Sequence, residues 1–202
     1  MIDKKNKILN LKIENKNILE LGCGPTRKFA NSITIDIVDL ETVDVIANIN
    51  EGLSFIPDSS IDEIHSSHFL EHVQNLEFVM SEIYRILKPG GRKIGTVPHF
   101  SNPHFYSDYT HKSFFGLYTF FYFSKHNFLR RKVPMFYNGI NFKIIEIKFN
   151  FASHFRIKNY FCRVYQRLFN LNYSMKEYYE ENLCYLFPAN EISFILEKID
   201  AK

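Results

Sequence analysis

An apolar run that ends in a two-glycine turn, Asn17-Ile18-Leu19-Glu20-Leu21-Gly22-Cys23-Gly24-Pro25, constrains the fold of this chain more than any other stretch. Glycines two apart let the backbone turn sharply and come close to a ligand, because neither carries a Cβ. The next strand-like run, Ile33-Thr34-Ile35-Asp36, ends in a carboxylate. An acid in that position can accept hydrogen bonds from both hydroxyls of a ribose. The two features together describe a nucleoside-binding crevice at the carboxyl ends of parallel strands, and so an enzyme.

Further strand-like runs at Val43–Ala47, Ile61–Ser66 and Gly91–Val97 extend the pattern, with helical material between the last two. That alternation is the signature of βαβ units and a parallel sheet. The clearest helix is Asn75–Leu87, whose apolar Leu76, Val79, Met80, Ile83, Ile86 and Leu87 share one face. Lys88-Pro89-Gly90-Gly91 is expected to end it. Phe142–Phe151 and Glu191–Lys198 alternate as two more strands, and Arg156–Leu171 reads as a helix between them. Asp36 follows Gly22 by only fourteen positions, so a helix in that crossover has room for about two turns. At 202 residues the chain is sized for one α/β domain.

These landmarks resemble the class I S-adenosylmethionine-dependent methyltransferases, in particular the type 11 domain-like group. The matching pieces are Ile18–Pro25, Asp36, Asp44-Val45-Ile46-Ala47-Asn48-Ile49, Ile61-Asp62-Glu63-Ile64 through Phe69-Leu70-Glu71-His72-Val73, and Glu82–Gly91. Each piece is weak alone; five in order are a specific signal. The resemblance implies a Rossmann-like α/β fold with a mostly parallel seven-stranded sheet, flanking helices, a shortened first crossover helix and an aromatic-rich cap. Residues 15–100 would form the cofactor-binding core of a single domain spanning 1–202, with 101–140 and 152–188 as acceptor-side cap and insertion. S-adenosylmethionine is the implied cofactor. Glu20 and the Gly22, Cys23 and Gly24 backbone would surround its methionine part, Asp36 and Ile37 its ribose side, and Asn48 and Ile49 its adenine. Ser66, Ser67 and His68 would lie near the sulfonium. Thr26 replaces the usual third glycine, and Asn48 stands where the family usually has an aspartate. A dinucleotide-binding dehydrogenase is disfavoured by Arg27, where its pattern needs glycine.

Methyl transfer to a hydroxyl needs a base as well as positioning. Candidates crowd into Pro98–His111, where His104, Asp108 and His111 follow the fifth parallel strand. In the group resembled, an Asp-x-Thr-His element sits here, so Asp108 orienting His111 is the catalytic reading, with His104 nearby. The alternative is structural: Asp108 caps a helix beginning near Lys112, and His111 bonds a backbone carbonyl. The spacings of His99, His104, Asp108 and His111 match no zinc pattern, and no metal is expected.

The run Phe114–Phe123 roofs an acceptor pocket, forms an interface, touches a membrane surface, or packs as a small core beneath the cap, and composition leaves these open. Arg156, Lys158, Arg163 and Arg167 punctuate the expected second helix and read as a solvated basic face, suited also to a phosphate-bearing acceptor. The acceptor is expected to be a small molecule or saccharide, sugar- or nucleotide-linked, methylated at oxygen or nitrogen. A net charge of +3 demands no nucleic acid. Three scattered cysteines and an N-terminus without an apolar run fit the cytoplasm. A degenerate, non-catalytic relative acting as a partner subunit is the alternative reading.

Overall fold

The alternating apolar runs pair into one sheet in the computed structural model, which describes residues 1–199. Its strands are β1 (Ile2–Asp3), β2 (Ile18–Leu21), β3 (Ile33–Asp36), β4 (Val45–Ile46), β5 (Ile61–Ser67), β6 (Leu87–Pro98), β7 (Phe142–Asn150) and β8 (Glu191–Lys198). They lie in the order β1-β4-β3-β2-β5-β6-β8-β7. β4, β3, β2, β5 and β6 run parallel, while β8 is antiparallel to both β6 and β7. The described sheet has eight strands where seven were expected. The extra one is β1, antiparallel to β4 on the edge. Two residues carry no periodicity to detect. Side chains fix them: Asp3 accepts the N–H groups of Lys7, Ile8 and Leu9, and Lys5 pairs with the buried Asp44.

α1 (Leu76–Ile86) packs Val79, Met80, Ile83 and Ile86 into the core, and the Asn75 side chain caps it by accepting from the Phe78 N–H. The chain then passes directly into β6, four residues before the expected strand start, because buried Leu87 already pairs with Ile61. A second departure is in the crossover between β2 and β3. Residues 22–32 form turns and no helix. The segment is held by side chains instead. The Glu20 carboxylate accepts the Lys28 N–H at 3.2 Å and the Ser32 hydroxyl at 3.3 Å, and Arg27 meets Asp44 at 2.5 Å. Phe29 lies over His65, ring centroids 3.9 Å apart. The sheet face that a helix would cover keeps a cavity of about 360 Å³, lined in part by Glu20, Phe29, His65, Thr96, Ser193 and Ile195.

The aromatic run is mostly core. A 3-10 turn over Leu117–Phe123 buries Leu117, Phe120, Phe121 and Phe123, and Phe120 packs on Phe194 of β8 at 4.3 Å. No helix begins near Lys112. α2 (Arg156–Phe169) and α3 (Tyr173–Asn182) bridge β7 and β8. Pro98 and Asn150 both pair with Glu191, so this insertion rises from the edge where β6 ends. Asn170 and Gln166 tie α2 to Phe149 and Phe151 of the β7 end. The four basic residues expected on α2 are exposed, but so are Ile157, Tyr160, Phe161, Val164 and Leu168, so its solvent side is mixed rather than simply basic. Among the described residues no helix is long and apolar enough to cross a membrane.

Candidate functional site

Strand order reverses between β2 and β5: from β2 the chain moves to β3 on one side, and β5 lies on the other. In such sheets the crevice outside the carboxyl ends at the switch point is where ligands bind. Here that crevice is built from the Gly22–Gly24 turn and the segment after β5. Gly22 has φ +65 and a Cβ there would stand 2.6 Å from the Phe69 ring, so both backbone and space require glycine. Gly24 has φ +56 and faces open space on its Cβ side. Its N–H donates to Asp36 Oδ2 at 2.9 Å, and Asp36 Oδ1 accepts the Val38 N–H at 3.1 Å. The carboxylate that closes β3 is thereby locked against the glycine turn.

The remaining cofactor-side residues fall into distinct settings. Glu20 is buried and committed to the crossover segment. Cys23 is buried, and its thiol is pushed up by that burial and by the Asp36 and Glu20 charges. Ile37 is exposed beyond Asp36. Asn48 caps a short turn at Ile49–Glu51, accepting from the Asn50 N–H and donating to Glu51, while Ile49 itself is core. Ser66 is buried and accepts from Lys93 Nζ at 2.5 Å; Ser67, one residue on, is partly exposed and lines the cavity. His68 takes the left-handed conformation at φ +52. Its Nε2 lies 3.0 Å from Glu191 and its Nδ1 3.3 Å from Glu71, which push its pKa up to about 9.

Two of these partners, Lys93 and Glu191, carry no local sequence signal. Glu191 reaches His68 only because β8 inserts between β6 and β7, 123 residues along the chain. Lys93 sits mid-strand between Arg92 and Ile94 and is fully buried, which drives its pKa down to about 7.

The loop after β6 closes over the segment that follows β5. Glu71 O accepts the Lys112 and Ser113 N–H groups, fastening the loop down. Asp108 starts no helix; it follows the short 3-10 turn over Pro103–Ser107. Its Oδ1 accepts from the Thr110 hydroxyl at 2.5 Å and the Thr110 N–H at 2.9 Å, contacts that hold its pKa low. Asp108 Oδ2 lies 3.6 Å from His111 Nε2, whereas His111 Nδ1 bonds the Phe105 carbonyl at 2.9 Å. The ring is thus oriented by a backbone carbonyl, with Asp108 beside its other nitrogen. His111 stacks near His72, centroids 4.9 Å apart. His104 is exposed at the loop surface and lies outside this group. His99 is fully buried, bonded to Ser101 and 3.3 Å from Glu180, where it ties the loop to α3. Tyr106, Tyr109 and Phe114 are exposed around the loop.

The profile of a methyltransferase domain family matches residues 1–132. The chain belongs to the methyltransferase domain family. Among solved structures, this methyltransferase domain resembles a SAM-dependent methyltransferase from Archaeoglobus fulgidus, at TM-score 0.59 and 20% identity over 96% of this chain and 90% of that one. It also resembles an S-adenosylmethionine-dependent methyltransferase from Mesorhizobium loti, at TM-score 0.53 and 12% identity over 90% of each. At those identities the likeness establishes the fold. Sterol 24-C-methyltransferase of Pneumocystis carinii is 32% identical over 39% of this chain and 26% of its own length. The Aspergillus fumigatus sterol 24-C-methyltransferase is 29% identical over the same shares. The methyltransferase domain therefore spans about a quarter of the length of the curated relatives it matches.

S-adenosylmethionine is the cofactor implied by the family, and the residues fit it. Each Asp36 oxygen accepts one backbone N–H and keeps a second lone-pair site, enough for a ribose diol. The open space beside Gly24 admits a ligand where any side chain would intrude. When bound, the cofactor supplies an electrophilic methyl group; the chain's task is to hold it and to present an acceptor in line.

Proposed function

We propose that this chain transfers the methyl group of S-adenosylmethionine to a small-molecule acceptor held under the 101–113 loop, at oxygen or nitrogen. The observation that carries this reading is the lock between Gly24 and Asp36 at the topological switch point, with the Glu71, His72 and His111 side chains gathered a few residues beyond the end of β5. The exposed rings of Tyr106, Tyr109 and Phe114 suit an organic acceptor, since aromatic walls bury ligand area and exclude water. The sterol methyltransferase relatives act, by their names, on a small molecule, which supports the same class of acceptor without fixing its identity.

His111 is the residue best placed to take a proton. The Phe105 carbonyl only accepts, so Nδ1 carries a hydrogen, and in the neutral ring the lone pair is on Nε2. Calorimetric titration of the purified protein with S-adenosylmethionine and S-adenosylhomocysteine tests the cofactor half. Saturable one-to-one binding at micromolar ligand supports the reading; no heat up to millimolar ligand overturns it in favour of a non-catalytic relative. An acceptor screen that follows release of S-adenosylhomocysteine then tests turnover.

A further inference from the structure

We infer that Glu71, His72 and His111 form a binding site for a divalent transition-metal ion beneath the 101–113 loop. One ligand atom from each residue lies within 4.8 Å of the others. Glu71 is fully buried, yet neither carboxylate oxygen accepts a hydrogen bond. His68 Nδ1 approaches Oε1 at 3.3 Å without the alignment of a hydrogen bond, and Oε2 has no partner at all. His68 stands beside Oε1 only, so Oε2 remains a buried carboxylate oxygen with no donor or cation against it among the described residues, which is costly to leave unpaired.

The two imidazoles are set up as ligands. Asp108 only accepts, so the Thr110 hydroxyl spends its proton on Asp108 Oδ1. The Thr110 oxygen, 2.9 Å from His72 Nδ1, must then receive an N–H from that ring. His111 Nδ1 donates to the Phe105 carbonyl by the same logic. In their neutral forms, the ones that ligate metal, both rings therefore carry hydrogen on Nδ1 and a lone pair on Nε2. Metal-bound histidines show this arrangement, one nitrogen on the ion and the other donating to a fixed acceptor. Asp108 Oδ2, 3.6 Å from His111 Nε2, adds negative charge beside the cluster. Two imidazoles and one carboxylate suit zinc and its first-row neighbours and leave coordination positions open.

Sequence spacing hides the site. Glu71 and His72 are consecutive, and His111 arrives only because Glu71 O holds the loop through the Lys112 and Ser113 N–H groups. The site's use rests on the methyl-transfer reading, with one change: while the ion is bound, His111 Nε2 is its ligand and takes no proton, and the ion's effect on the acceptor oxygen replaces that role. An open position on the ion would bind an acceptor oxygen and lower its pKa, so the acceptor class it points to is a hydroxyl compound. Metal binding itself does not depend on that reading.

The test uses untagged protein stripped with chelator and titrated with zinc chloride, and separately with cobalt chloride followed by visible absorbance. One equivalent of zinc bound at micromolar or tighter Kd, with d–d bands from cobalt, is the expected result. His72→Ala and His111→Ala should each weaken zinc binding by at least about 10–100-fold, while His104→Ala, outside the cluster, leaves it unchanged. No binding up to millimolar zinc, or binding indifferent to both substitutions, overturns the site. Far-UV circular dichroism and a melting curve accompany each variant. Should either Ala variant fail to fold, His111→Gln, which retains a polar group at the position, carries the test with the same expected loss. Titration with S-adenosylmethionine on the same samples separates this result from the cofactor question.

Discussion

The backbone N–H of Gly24 donates to Asp36 Oδ2 at 2.9 Å, joining the turn after β2 to the end of β3. This bond fixes the carboxylate at the end of β3, so Asp36 is part of the turn as well as the proposed ribose ligand. Asp36→Ala is expected to weaken S-adenosylmethionine binding by about 1.5–3 kcal/mol, the range for hydrogen bonds to a charged group. Calorimetry measures it, and unchanged affinity would remove Asp36 from the cofactor site.

Gly22→Ala should destabilise the fold as well as the site. A Cβ at φ +65 is strained, and it would stand 2.6 Å from Phe69 Cδ2, a ring packed against the core. Left-handed strain of about 1–2 kcal/mol adds to the displacement of Phe69. Urea denaturation is expected to show a lower midpoint; an unchanged midpoint would mean that the turn is looser than described.

Lys93 sets a pH dependence of stability. Burial lowers its pKa from 10.5 to about 7 in the folded chain. Between those values the unfolded state binds a proton that the folded state has released, so stability rises with pH across about 7 to 10.5. Below pH 7 the buried ammonium is present, with Ser66 and the Ile94 carbonyl as its acceptors. Lys93→Met is expected to stabilise the protein at pH 6 by an amount on the order of a few kcal/mol and to flatten the rise. Melting curves at several pH values decide this, and a variant that keeps the wild-type slope would exclude Lys93 as its source.

His111→Ala should reduce turnover by roughly 10²-fold or more, the contribution of a positioned base or ligand, with cofactor affinity nearly unchanged. A variant whose loss of activity follows loss of S-adenosylmethionine binding would instead make His111 a purely structural anchor of the loop through Phe105.

The periodic segments were legible because their cause is local. Asn17–Leu21 and Ile61–Ser66 read as strands from apolar runs, and Asn75–Leu87 as a helix from its one buried face, each within two residues of the bounds observed. The glycine turn and Asp36 were legible because glycine is demanded by a backbone angle and the acid by its place at a strand end. The edge strand Ile2–Asp3 and the missing crossover helix were not. Both are decided by long-range side chains: Lys5 and Arg27 converge on Asp44, and Glu20 ties down Lys28 and Ser32.

The sequence by itself determined the succession of strands along the chain from Ile18 onward, the two-glycine turn followed by Asp36, and membership of the methyltransferase domain family. Only the tertiary structure decided which polar groups share a site. It brings Glu191 to His68 and His111 to Glu71 and His72, and it turns the aromatic run inward around Phe120. The reason is physical: backbone preference and apolar period act over a few residues, whereas partners for buried charge come from whatever segments the sheet order and loop closure set side by side.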